Sequence, residues 1–352
     1  MLAAALALVL AAAPPAPPDP TFGAAKSAMP KLPPRPVVPP KRIELPADPR
    51  RPLLSNPQLS LDGAVLYIAR TSAQPAPRDR GPQGVDVFVL PLAPHQPSSV
   101  IHLAVPNPGS DLRLWLSPNE RFLAVVTQGE LWVHELAKDP GADSAAPDAG
   151  VQPARRLYPP ASGDAPLGTE LSFAAIASDS SWLLVQSPHG WARISYANGD
   201  LAPVPLPPMD LTDGSVALSP DGVHATFVRP QKGVGFLNGA SVIAENLQTN
   251  FAQVLDKENL YTEVAFLPDG LPLGMDAKGG LWVIQPGKRY PYFTPPKPFK
   301  GGSVGNYSLN LGRSKLAWTV STGGEVKSPH AEVWVTGAPT PPKPAKSNTE
   351  PQ

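Results

Sequence analysis

Gly301-Gly302-Ser303-Val304-Gly305 carries the letters of a hydrolase nucleophile elbow, G-x-S-x-G. Such an elbow sets its serine on a sharp turn from strand to helix, with a base and an oxyanion hole beside it. Here the pentapeptide follows a Pro/Lys-rich stretch (PPKPFK) and no helical pattern comes after it. This context predicts an entry into a strand that needs glycine flexibility, and no catalytic serine. The six histidines, His95, His102, His134, His189, His224 and His330, show no HxH, HExxH or close carboxylate spacing. Asp210-Leu211-Thr212-Asp213-Gly214 resembles the start of a calcium loop but lacks the later bidentate glutamate, so it predicts a turn. With no cysteine, the chain has no disulfide, thiolate nucleophile, Cys-ligated zinc or iron–sulfur cluster. P-loop and dinucleotide fingerprints are also missing. The residue types therefore give no catalytic set and no cofactor. A metal gathered across distant segments is the alternative.

Other chemistry-bearing residues recur at intervals. The turns Ser60-Leu61-Asp62-Gly63, Ser117-Pro118-Asn119-Glu120, Ser178-Asp179-Ser180-Ser181, Ser219-Pro220-Asp221-Gly222, Leu267-Pro268-Asp269-Gly270 and Leu311-Gly312-Arg313-Ser314 separate apolar runs. From Asp62 through Asn119, Asp179, Asp221 and Asp269 to Arg313 the spacings are 57, 60, 42, 48 and 44 residues. A carboxylate needed at each turn serves the turn: proline presets φ, Asp accepts backbone N–H groups and Gly supplies positive φ. Trp132, Trp191, Trp282 and Trp334 recur in the third apolar stretch of their repeats. Large rings at equivalent strand positions predict packing between neighbouring units. The sequon Asn306-Tyr307-Ser308 falls in a strand-like stretch of a chain whose Ala- and Pro-rich composition is of bacterial type.

The elements that must position these residues are β-strands. After the turns come β-branched and aromatic runs such as Ala64–Ile68, Arg121–Val126, Trp182–Val185, His224–Val228, Leu271–Met275 and Lys315–Val320. Third strands read Val87–Val89, Leu131–Val133, Trp191–Ile194, Ser241–Ile243, Leu281–Ile284 and Val333–Val335. Fourth strands are expected at Val100–Val105, Arg156–Tyr158, Leu201–Val204, Phe251–Leu255 and Tyr290–Phe293. Ser-Pro-Asp-Gly, an apolar strand, then Glu-Leu-Trp-Val or Gly-Leu-Trp-Val resembles the WD-like β-propeller repeat of TolB-type proteins. The likeness is strongest at Leu116–Leu136, Leu218–Val228 and Leu267–Ile284. It concerns the propeller part alone, since a proline tether stands where that family carries an α/β domain. The reading is an all-β, six-bladed β-propeller, a fold that hosts unrelated activities. The sixth unit ends after Val335 without a fourth strand, and Lys41–Leu45 has no other partner. Ile43 and its neighbours are therefore expected to supply that strand and close the ring.

Outside the repeat, Leu2–Ala13 (LAAALALVLAAA) is an uncharged apolar run of signal-peptide core length, too short to span a bilayer. The organisation expected is a signal peptide over 1–25, a Pro-rich linker over 26–40, the propeller over 41–336 and a disordered polar tail over 337–352. This places the protein in the periplasm or outside the cell. Lys+Arg and Asp+Glu are 29 each, so no net field draws nucleic acid or an anionic membrane. Binding is then expected on loops at one mouth of the ring. Long connections at Thr71–Gly84, Arg229–Gly239 and Ser321–His330 carry Arg78, Arg80, Arg229, Lys232, Lys327 and His330, and Asp111, Asp213 and Glu263 belong to the same mouth. The functional expectation is a monomeric, non-catalytic module engaging an envelope protein, a peptide or a glycan. The alternative is a metal-dependent hydrolase or lactonase with its site in the channel.

Overall fold

Serine and Asp or Asn side chains turn the chain back on itself between the first two strands of a unit. At the first turn Ser60 Oγ donates to Asp62 Oδ1 (2.7 Å) and accepts from Val65 N (2.9 Å), while Ala64 N donates to Asp62 Oδ1 (2.8 Å). The second turn repeats the set, with Ser117 Oγ donating to Asn119 Oδ1 (2.8 Å) and Phe122 N to Ser117 Oγ (2.9 Å). At the fourth, His224 N donates to Ser219 Oγ (2.9 Å). The hydrogen bond from Ser60 and that from Ala64 N hold the Asp62 carboxyl below its usual range. Asp62 and Asn119 are thus turn residues; Asp179, Asp221 and Asp269 lie outside the described residues. Gly63 (φ 71°) and Gly270 (φ 82°) occupy the left-handed position, and Glu120 occupies it in the second turn at φ 57°. There its carboxylate accepts Leu61 N from the first turn, which ties the two turns together.

The computed structural model describes residues 39–46, 53–71, 84–136, 152–159, 172–176, 182–187, 190–204, 216–219, 223–230, 240–246, 249–309, 315–322 and 330–338. Residues 107, 110, 118, 250, 258 and 268–269 are left out of these ranges. The described strands form six antiparallel sheets, the blades of a six-bladed β-propeller. Blade one has an inner strand in two pieces, Leu53–Leu54 and Gln58–Leu59, followed by Val65–Thr71, Val85–Pro91 and Ser99–Leu103. Blade two is Arg113–Leu116, Phe122–Thr127, Glu130–Glu135 and Arg155–Tyr158. Blade three is Ser172–Ile176, Trp182–Ser187, Gly190–Ser195 and Leu201–Val204, and blade four is Val216–Leu218, His224–Pro230, Ala240–Asn246 and Phe251–Asp256. Blade five is Glu263–Phe266, Pro272–Met275, Leu281–Gln285 and Lys288–Phe293. Blade six takes Gly302–Leu309, Lys315–Thr322 and Ala331–Gly337 from the end of the chain and Lys41–Ile43 from its beginning.

Both faces of a blade meet a neighbour, so the strands are apolar on both sides. The second strand of blade one is typical, with Leu66, Tyr67, Ile68 and Ala69 all buried in succession. Among the described residues the core is accordingly divided into six clusters, each shared by two consecutive blades. Tyr67, Val87 and Leu103 meet Leu114 and Leu123 between blades one and two. Leu131 and Tyr158 meet Leu183 and Ile194 between two and three. The series continues through Trp191 with Phe227, Val242 with Val264, and Leu281 with Trp318. It is completed where Leu66, Ile68 and Phe88 of blade one pack on Ala317, Val333 and Val335 of blade six. Trp191 is buried in its interface, and Trp132, Trp282 and Trp334 are half-buried against theirs, as the recurring tryptophans predict.

The inner strands are also stapled by side chains. Blade one breaks at Ser55-Asn56-Pro57, where Pro57 lacks a ladder donor. Asn56 turns its amide to the next blade, donating to Leu114 O (2.6 Å) and accepting from Leu114 N (2.7 Å). On the opposite side Leu59 N donates to Ser308 Oγ of blade six (3.2 Å).

The closure expected from the unpaired sixth unit is present. Lys41, Arg42 and Ile43 pair antiparallel with Val335, Trp334 and Val333, and Ile43 and Leu45 pack against the cluster between blades six and one. Deleting residues 1–38 should leave the melting temperature unchanged, because this strand stays. Extending the deletion to residue 46 should cost about 3 kcal/mol, from lost pairing and packing, or roughly 5–10 °C for a domain of this size. Calorimetry of the two truncations checks this; equal melting temperatures would mean that the strand contributes little to closure.

Candidate functional site: the loop mouth and the sixth-blade hub

In a meander whose inner strand begins at the blade linker, the connections between strands two and three return to the linker end. The predicted mouth is that end. Asp111, in the linker to blade two, accepts from Gln128 N (2.7 Å) and from Thr127 Oγ1 (3.2 Å). Gln128 and Gly129 form the two-residue turn between strands two and three with φ of 52° and 74°, as the tight primed hairpins require. Gly109 N donates to Thr127 Oγ1 (2.7 Å) and Thr71 Oγ1 to Gly109 O (2.8 Å), so the linker is sewn to blades one and two. Asp111 thus braces this linker. Glu263 opens the inner strand of blade five opposite Met275. Nearby, Tyr307 of blade six donates to Gly279 O (2.6 Å); burial pushes the Tyr307 hydroxyl well up, with Glu263 and Asp276 adding to it.

His330 is the predicted mouth residue that the structure builds into a cluster. Its ring lies edge-on to Phe299 of the preceding linker, centroids 5.0 Å apart, and its Nε2 is 3.4 Å from Glu332 Oε1. The same Oε1 accepts Arg42 Nη1 of the closing strand (3.0 Å), and Oε2 accepts Trp334 Nε1 (3.0 Å). Burial works to raise Glu332, but the donors Arg42, His330 and Trp334 outweigh it and hold the carboxyl below the usual range. The grouping recurs in blade two, where Trp132 Nε1 donates to Glu130 (3.0 Å) and Arg156 lies over the ring at 5.9 Å. Blade five has Trp282 donating to Asp276 (2.8 Å), with Arg289 over it at 4.2 Å. Glu-x-Trp in the third strand, visible at Glu130-Leu131-Trp132 and Glu332-Val333-Trp334, was the signal for this grouping. Arg42 and Glu332 were not among the residues expected from the sequence.

Arg229 is not in a loop. The run Thr226-Phe227-Val228 extends the second strand of blade four, Arg229 pairs with Ser241, and the strand ends at Pro230 opposite Ala240. The connection therefore starts at 231, and the strand residues Thr71, Ser321 and Thr322 shorten the other two in the same way, to 72–84 and 323–330. Arg78, Arg80, Asp213, Lys232 and Lys327 lie outside the described residues, as does His189. His102 Nδ1 sits 2.7 Å from Asp86 Oδ1. Sequence spacing does not show that pair, because it forms across strands three and four of blade one, where Asp86 faces His102. His134 Nδ1 lies 2.9 Å from Pro153 O, and His224 beside Asn246. Among the described residues no three His, Asp or Glu side chains gather as metal ligands would.

No protein-family model matches the chain, and no curated protein matches it. Among solved structures it is similar to TolB from Acinetobacter baumannii, at 11% identity and a TM-score of 0.44, over 82% of this chain and 55% of that one. It thus spans little more than half of that TolB chain. Oligogalacturonate lyase from Vibrio parahaemolyticus is similar at 11% identity and a TM-score of 0.48, over 86% of this chain and 97% of the lyase. A putative TolB from Agrobacterium tumefaciens gives 11% identity and 0.42, over 82% and 91%. The likeness is one of fold.

Ser303 stands on the inner strand of blade six, opposite Ser321, and donates to Ser321 O (3.3 Å). Its surroundings are a sheet, not the strand–turn–helix of a nucleophile elbow. Fluorophosphonate probes should leave Ser303 unlabelled, and Ser303→Ala should change no activity or binding; stoichiometric labelling abolished by the substitution would contradict this.

Glu332 predicts an acid sensitivity. A carboxylate lowered on folding adds stability that is complete above its unfolded value near 4.5 and is lost as pH falls through the lower folded value. Glu332→Gln should cost about 1–2 kcal/mol at neutral pH and much less at pH well below both values. Melting curves across that range check the sign.

Proposed function

We propose that this protein is a non-catalytic binding module, exported to the periplasm or secreted, whose propeller engages an envelope protein, peptide or glycan at its loop mouth. The observation that carries this reading is the use already made of its recurring chemical groups. Asp62 and Asn119 cap turns, Glu130, Asp276 and Glu332 hold tryptophans, Asp111 braces a linker and Ser303 sits in a ladder. What varies from blade to blade is the connection between strands two and three. It is two residues long in blade two and much longer at 72–84, 231–239 and 323–330 of blades one, four and six. Ligand contact favours loops of this sort on a rigid frame. The apolar run Leu2–Ala13 supports export, and among the described residues no helix is long and apolar enough to cross a membrane.

The test reverses charge on the long loops. Immobilised wild type and an Arg78→Glu, Arg80→Glu, Lys232→Glu, Lys327→Glu variant are compared for capture from envelope extract, with bound species identified by cross-linking and mass spectrometry. A specific partner should be lost by about tenfold or more, as loss of complementary charge at a rim implies, with no change in melting temperature. Equal capture would place recognition elsewhere. Metal-dependent turnover of an ester or lactone panel would replace this reading by an enzymatic one.

A further inference from the structure

Blade six borrows its outer strand, and the loan is short. Pro39 and Pro40 precede it and Pro46 follows it, so only Lys41–Leu45 can offer ladder donors. Three residues pair, against a third strand of seven: Val333–Val335 are covered, while Ala331 and Glu332 on one side and Thr336 and Gly337 on the other run past the closing strand. Lys41 and Arg42 are exposed and Ile43 half-buried. The position has a definite chemistry. It offers a strand edge, a carboxylate on Glu332 that receives the Arg42 guanidinium, the Trp334 ring opposite Arg42, and an aliphatic hollow at Val333 and Val335 that receives Ile43.

We propose that this position is an exchangeable strand-docking site, in which Lys41–Ile43 acts as a built-in competitor and an extended segment of a partner protein, carrying a basic residue directly before a β-branched aliphatic one, replaces it by antiparallel pairing. The occupant is defined by charge complementarity to Glu332 and by continuity with the pairing already present. Edge strands accept extended peptides in this way, main chain giving affinity and alternate side chains giving selectivity. The site adjoins the loop mouth through His330, which contacts Glu332. Its test reads strand exchange and the mouth's test reads capture at the connecting loops, so the failure of one is distinguishable from the failure of the other.

The chain has no cysteine, so Lys41→Cys with Val335→Cys, which face each other, introduces a single disulfide that locks the strand in place. The probe is a fluorescent peptide of residues 39–46, followed by polarisation against the full chain. It should bind wild type saturably, and the double variant when reduced but not when oxidised. Arg42→Glu in the protein, with the peptide unchanged, should tighten peptide binding by about tenfold, because it weakens a tethered competitor. Adding Glu332→Gln should reverse that gain. A purely structural closing strand gives a different result: Arg42→Glu lowers the melting temperature and gains no peptide. No saturable binding to wild type, equal binding by oxidised and reduced forms, or exchange seen only as a dimer of the chain would each overturn the proposal.

Discussion

A sheet with two apolar faces cannot leave either in water, and this requirement governs the chain from Lys41 to Gly337. Each blade needs two neighbours, so a row of blades would always expose a face at either end. A ring is the arrangement that removes both ends at once. The packing of Leu66, Ile68 and Phe88 on Ala317, Val333 and Val335 is therefore the contact on which the other five depend, and the closing strand exists to cover its rim. Burial on both faces also explains why the strands read as apolar runs more than as a strict alternation.

Much of this was legible in the residues because it is local. Serine, proline, aspartate and glycine specify a turn within four residues, so the Ser60 and Ser117 turns could be read with their roles attached. Closure was legible by elimination, since one unit lacked a strand and one strand lacked a unit. Features that depend on register were not. Asn56 looks like any loop asparagine until the break in blade one carries its amide to Leu114. Asp86 and His102 are 16 residues apart and meet only because strands three and four align them. The strand through Arg229 outran its apolar run because the partner strand continues to pair with it.

The grouping of tryptophan, carboxylate and arginine shows how a repeat can hide a hub. In blade two it is built from one unit, with Trp132, Glu130 and Arg156 on neighbouring strands. In blade six the same positions are filled from both ends of the chain, so the arginine that in blade two covers an indole and pairs with Glu130 within one unit becomes part of the closure. Charge that repeats around the ring is thereby used for scaffold, and distinctive chemistry is left to the parts that do not repeat, His330 with Phe299 among them.

Arg42 and Glu332 are 290 residues apart, and that separation has a consequence for how the molecule is made. Among the described strands the first in the chain pairs with the last, at the entropic cost of closing a very long loop. Until then blade one holds an apolar face and blade six a bare edge, the two features by which incomplete chains associate with one another. The prolines on either side of Lys41–Leu45 cannot donate to a strange edge. They keep the waiting strand from pairing beyond five residues, and so leave it free for the partner that arrives late.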